Sequence, residues 1–194
     1  MDLARYLPDI AIAAALAWGS GLRAYAVLFA VGLAGALGWV ELPEHLQLLQ
    51  HPLVLGASGL MTAVEFFADK IPWLDSVWDA IHTIIRPIGG ALIAVASIGH
   101  AAPATQTLVA LVGAALAAST HLTKAGTRAV ANTSPEPFSN WILSVSEDGF
   151  AIGLGLLALK YPLAAAIVVL VCLALMVAFA HWLVRAVRRR FRGA

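Results

Sequence analysis

Residues 162–184 run without a single Asp, Glu, Lys or Arg, and this feature constrains the fold more than any other. About 20 apolar residues in a helix cross roughly 30 Å of hydrocarbon. Composition agrees: 61% of the chain is hydrophobic, 12% is charged, and the mean hydropathy is +0.86. A water-soluble chain of 194 residues has too little interior to hide that much apolar surface. The expected class is therefore all-α, a polytopic membrane helix bundle forming a single transmembrane domain.

Six spans are expected, at 9–38, 52–70, 87–100, 103–124, 141–159 and 162–184. Proline stands at the start of four of them, where its missing N–H costs nothing. The first is too long for one crossing, about 45 Å at 1.5 Å per residue. Gly19, Ser20 and Gly21, followed by Arg23, interrupt it near the middle, so a break or unwound turn is expected there, at the glycines. Residues 73–86 form a separate segment with Trp73, Leu74, Val77, Trp78, Ile81, Ile84 and Ile85 on one face and Asp75, Asp79, His82 and Arg86 on the other. One reading lays this amphipathic helix in the membrane interface. The other turns its polar stripe over an interior cavity.

Positive charge gathers on the cytoplasmic side of membrane proteins. Five arginines fall within 185–194, a basic cytoplasmic tail, whereas 39–51 and 101–103 carry no Lys or Arg. With six spans this places both termini in the cytoplasm, and the inner membrane is the expected location. Lys160 is the exception, able to snorkel from a helix end. The N-terminus lacks the pattern of a cleaved signal peptide, so the first helix is expected to be retained. Cys172 lies in an apolar run and reads as packing.

Ionisable side chains within spans cost a few kcal/mol on insertion scales and need a partner, a wet cavity or a task. Arg23, Glu65, Glu147 and Asp148 are such residues, Asp69 shares a helix face with Glu65, and Lys124 and Arg128 stand at the cytoplasmic mouth. Helical rise places Glu65 and Glu147 at comparable depth. The bland reading is an ion pair that locks the bundle. In the sharper one, Arg23, Glu65, Asp69, Lys124, Arg128, Glu147 and Asp148 line a path for a solute or ion. Ser139 or Asn140 would cap the fifth helix, and an anion could dock there with Ser134, beside Lys124 and Arg128. No metal or other cofactor is expected; Asp79 and His82, three residues apart, are the one pairing that could begin a metal site. The basic tail reads as orientation, so no nucleic acid is expected as partner.

Gly19–Arg23 followed by an acidic helix, and Gly126–Arg128 followed by Glu147 and Asp148, raise the expectation of two inverted three-helix repeats, 1–102 and 103–184. The strings Gly-Leu-Arg-Ala-Tyr at 21–25, Glu-Phe-Phe-Ala-Asp-Lys-Ile-Pro at 65–72, Trp-Asp-Ala-Ile-His-Thr at 78–83 and Asn-Thr-Ser-Pro-Glu-Pro-Phe-Ser-Asn at 132–140 make the chain resemble a bacterial membrane family filed as domain of unknown function 4126. The resemblance implies a membrane-helical fold and draws attention to the same residues, without an activity.

Three functions are weighed. The first is a small secondary transporter or channel for an anionic or polar solute, coupled to protons or cations through the acidic cluster. The second is a membrane-embedded lipid-phosphate hydrolase, with Ser20, Ser134 or a water activated by Glu65 as nucleophile. The third is a non-catalytic scaffold whose charges lock the bundle. Membrane lipids and a small polar or anionic solute are the expected partners, with a homo-oligomer also allowed.

Overall fold

A computed structural model describes residues 3–131 and 138–192. Six long helices account for nearly all of them: α1 Leu3–Ala36, α2 Pro52–Ala68, α3 Pro72–Ile98, α4 Pro103–Ala131, α5 Phe138–Lys160 and α6 Pro162–Arg192. A 3-10 helix, Glu44–Gln50, precedes α2 at an angle of 65°. Among the described residues there is no strand. Four helices begin at proline, and His51 caps α2 by accepting the Leu53 N–H at 3.2 Å.

The surface is largely apolar, while the interior holds both an apolar core and a group of charged side chains, which within a membrane must face the bundle interior. Leu163, Ile167, Leu170 and Leu175 of α6 are exposed. Arg23, Glu65, Asp69, Arg86 and Lys124 are buried. The protein is thus a multi-pass membrane protein.

Helix α1 does not cross as one rod. Arg23 has φ −148° and ψ 78°, which is not helical. The chain folds back there. A Cβ built on Gly19 would lie 3.3 Å from a methyl of Val27, whereas an unbroken helix separates residues eight apart by about 12 Å. Leu16 and Val31 likewise both lie within 4 Å of the Cβ position of Gly155, although a straight helix would hold them about 22 Å apart. The two arms, 3–22 and 24–36, therefore form a helical hairpin with its tip at Arg23.

The hairpin fixes the arrangement of ends. Tyr6 and Asp9 of the first arm share a cavity with Ile98, His100 and Thr105 around the α3–α4 connection. At the close of the second arm, Gly35 packs on Leu42 and Gln50, and the His45 ring fills the space that a Cβ on Gly99 would need. Gly99 has φ 60°, a conformation glycine adopts without penalty. Both arms, the 3-10 helix and the α3–α4 connection thus share one end of the bundle, called here the capped end. The tail end carries the last turns of α2, α4 and α6 and the first turns of α3 and α5.

This corrects three expectations. The break lies at Arg23 and not at Gly19–Gly21, whose residues remain helical. Those glycines serve close approach instead, since a Cβ on Gly21 would overlap the backbone of Ala117. The third span does not begin at Pro87: α3 is continuous from Pro72, because a membrane helix buried against neighbours tolerates an internal proline. The segment 73–86 is its first half, with Asp75, Asp79, His82 and Arg86 turned inward and Trp73, Ile81 and Ile84 outward. Finally, with α1 folded back, its amino-terminal end lies opposite the carboxy-terminal end of α6, where one shared side was expected for both termini; five helices, or six with the bent pair of the 3-10 helix and α2, are long and apolar enough to cross a membrane. No non-helical residue interrupts α4, α5 or α6 to match the one at Arg23.

Helices α3 and α4 touch through glycine. A Cβ on Gly90 would overlap Ala117 and approach the Gly113 carbonyl at 2.8 Å. Gly90→Val should therefore destabilise the bundle by about 1–3 kcal/mol, read as a lower midpoint of thermal unfolding in detergent. Gly89→Ala, at a position with open space around it, serves as the control and should change little.

Candidate functional site: a buried ionic cluster at the hairpin tip

Arg23 projects from the tip into a group of charged side chains from or next to every long helix except α6. Its Nη2 contacts Asp69 closely and lies 3.2 Å from Glu147; its Nε is 3.0 Å from Asp148, and its Nη1 is 3.9 Å from Glu65. The same guanidinium donates to the hydroxyl and carbonyl oxygens of Ser144 at 3.0 and 3.2 Å. Arg86 donates closely to Glu65 and lies 3.7 Å from Asp79. Arg128 holds Glu147 at 2.7 Å and Asp69 at 3.1 Å, with Asp75 at 3.8 Å.

Arg86 also closes the helix break. In an unbroken α1 the carbonyl of Gly21 would accept the N–H four residues on. At the tip it accepts from Arg86 Nη1 at 3.2 Å. The same Nη1 donates to His121 Nδ1 at 2.8 Å. Since a guanidinium only donates, Nδ1 carries the lone pair, and Nε2–H is left to donate to the Asp79 carbonyl at 3.1 Å.

Lys124 differs from the three arginines. Its Nζ lies 3.6 to 3.9 Å from Glu65, Asp69, Asp79 and Glu147 and hydrogen-bonds to none of them. Charge-assisted N–H···O bonds are normally about 2.7–2.9 Å long. The ammonium sits centrally but loosely.

Four basic residues thus face six carboxylates among the described residues, a formal excess of two negative charges. All seven residues expected to line a path, Arg23, Glu65, Asp69, Lys124, Arg128, Glu147 and Asp148, meet here. Glu147 and Asp148 form the accessible edge, their side chains 11% and 19% exposed, while Glu65 and Asp69 are fully enclosed. A cavity of about 230 Å³ between α3 and α4 reaches the cluster from the tail end, with Asp75, Asp79, Thr83 and Arg128 in its wall.

Other expectations fare differently. Ser20 donates its hydroxyl to the Ala17 carbonyl at 2.8 Å, which leaves it no contact with the cluster. Ser134 lies outside the described residues, as do the side chains of Ser139 and Asn140, and the expected anion site lies there with them. Asp79 and His82 do not converge on one point: His82 contacts the Tyr25 hydroxyl at 3.1 Å and the Trp78 carbonyl at 2.8 Å and stacks on the Trp78 ring. Among the described residues no three His, Cys, Asp or Glu side chains are grouped to hold a metal ion. Arg86, His121 and Ser144 belong to the cluster without having been singled out. For Arg86 a signal existed, since Asp75, Asp79, His82 and Arg86 recur on one helical face.

The fold and the cluster define a class: a multi-pass helical membrane protein with a folded-back first helix that delivers an arginine to a buried acidic centre. The family described as domain of unknown function (DUF4126) matches residues 10–182, and the chain belongs to it. No curated protein and no solved structure matches the chain.

Proposed function

We propose that the protein is a small secondary transporter or channel for a polar solute, coupled to protons or cations through the cluster at the hairpin tip. The carrying observation is the break at Arg23 set among more carboxylates than cations. Non-helical backbone at membrane depth is tolerated against protein or a lined cavity, and broken helices of this kind form substrate and ion sites in transporters. The formal negative excess favours a proton or cation as the coupling species. The tail end faces the cytoplasm in this reading, because it carries Lys70, Arg185 and Arg188 together with the remaining arginines of the tail. The amino-terminal end of α1 then faces outward from the inner membrane.

A second reading is favoured by the close arginine contacts, 2.7 Å from Arg128 to Glu147 and 3.0 Å from Arg23 to Asp148: the charges lock the bundle of a scaffold. Reconstitution into vesicles with an imposed pH or alkali-cation gradient decides between them. Transport predicts that the gradient collapses faster than in protein-free vesicles. Equal rates under both gradients would leave only the lock.

A further inference from the structure

The first arm of α1 and helix α4 touch near the hairpin tip and part towards the capped end. At the tip they are in backbone contact, since a Cβ on Gly21 would overlap the backbone of Ala117. Beyond it a groove of about 550 Å³ opens between them, floored by Ala94 and Ile98 of α3. That volume lies within the usual range of ligand pockets. Along α4 the groove runs from Thr105 to Leu116, about 16 Å at helical rise. This is half of the roughly 30 Å hydrocarbon thickness, and so the depth of one leaflet.

The chemistry of the groove changes along its length. Its deep part is walled by small or apolar groups, among them Ala13, Ala14, Val109, Val112 and Gly113. The polar side chains of the lining, Tyr6, Asp9, His100 and Thr105, stand at the mouth beside the α3–α4 connection. Among the described residues none of these four side chains has a hydrogen-bond or ion-pair partner. Asp9 is the one carboxylate of the lining, and no Lys or Arg belongs to it. One acid beside three groups able to donate hydrogen bonds complements a zwitterion, with an ammonium for Asp9 and phosphate oxygens for Tyr6, His100 and Thr105. Thr105 also lies in the first turn of α4, where the helix dipole favours an anion. A wholly anionic head would meet the Asp9 charge with no cation in the lining to offset it.

We propose that this groove binds one phospholipid with a primary-ammonium head, drawn from the leaflet at the capped end, with an acyl chain between the first arm and α4 and the ammonium at Asp9. The Gly21–Ala117 contact divides this site from the ionic cluster, and the proposal stands independently of the transport reading. Because the first arm forms one wall, the bound lipid holds the folded-back α1 against α4.

The test uses the full chain in detergent, stripped of lipid. Phosphatidylethanolamine added back should raise the unfolding midpoint at least about 5 °C more than phosphatidylglycerol with the same acyl chains, since a ligand of the folded state stabilises it by mass action. Native mass spectrometry should find one ethanolamine lipid retained per monomer. Asp9→Asn should abolish the preference between the two heads while leaving the lipid-free midpoint within about 2 °C of wild type. Ala14→Trp fills the groove from its wall and should abolish retention of either lipid. Equal effects of the two lipids on wild type, or an Asp9→Asn variant that still prefers ethanolamine, would overturn the proposal. So would a folded Ala14→Trp variant that retains the lipid as wild type does; if that variant does not fold, wild type and Asp9→Asn decide alone.

Discussion

Arg86→Met is expected to destabilise the folded protein by about 3–5 kcal/mol, the usual cost of removing one partner from a buried pair. Three groups lose their donor together: the Glu65 carboxylate, the Gly21 carbonyl and His121 Nδ1. Methionine conserves much of the volume, so the change acts through charge and hydrogen bonding and not through a cavity. In detergent the unfolding midpoint should fall on the order of 10 °C. Adding Glu65→Gln should recover part of the loss, because a neutral amide tolerates burial without a cation better than a carboxylate does. If the double variant is no more stable than Arg86→Met alone, the Glu65 contact is not the source of the effect. Gly21 then becomes the partner to test.

Glu147→Gln is expected to lower flux at least about tenfold while leaving a folded protein, as befits an intramembrane ionisable group with a functional task. Glu147 touches Arg23 at 3.2 Å, Lys124 at 3.8 Å and Arg128 at 2.7 Å, and it is more accessible than Glu65 or Asp69. Arg23 and Arg128 keep a shared partner in Asp69, so the fold does not depend on Glu147 alone. Vesicle flux and the unfolding midpoint, taken on the same preparation, separate the two effects. A variant that moves protons or cations as wild type does would remove Glu147 from the path. Exchanging the charges of Arg23 and Asp148 sharpens the distinction from a scaffold. A lock should accept the exchange and recover stability, whereas a path should lose flux even when stability returns.

The membrane class was legible because it rests on run length and composition, which the solvent fixes before any tertiary contact forms. The cluster was legible for a related reason: a charge inside a span must find a partner, so Arg23, Glu65, Glu147 and Asp148 could be collected without knowing the packing. Arg86 and Asp75 stood on a polar face for which an interior cavity was one of two readings, and they were not joined to the cluster because their segment also carries Trp73, Val77 and Ile81 on its other face. Periodicity alone does not say whether a polar face meets water or a polar interior. The hairpin was the largest omission. Local sequence marked a break near Gly19–Gly21, but a kinked span and a complete return have the same hydropathy. Only long-range contacts, such as Leu16 and Val31 meeting at Gly155, distinguish them. That omission carried over to the termini, since sidedness inferred from charge depends on the number of crossings.

The folded-back α1 underlies the site, the sidedness and the proposed path, and one cross-linking measurement tests it directly. In a Cys172→Ser background, Gly19→Cys and Val27→Cys are introduced together, the protein is mildly oxidised in lipid, and free thiols are counted on the monomer. The hairpin predicts that both thiols disappear into an intramolecular disulfide, because these positions face each other across the tip. Two thiols that both remain free under oxidation would mean an uninterrupted helix, which holds these residues about 12 Å apart, beyond the reach of a disulfide. Arg23 would then lack the turn that carries it into the cluster.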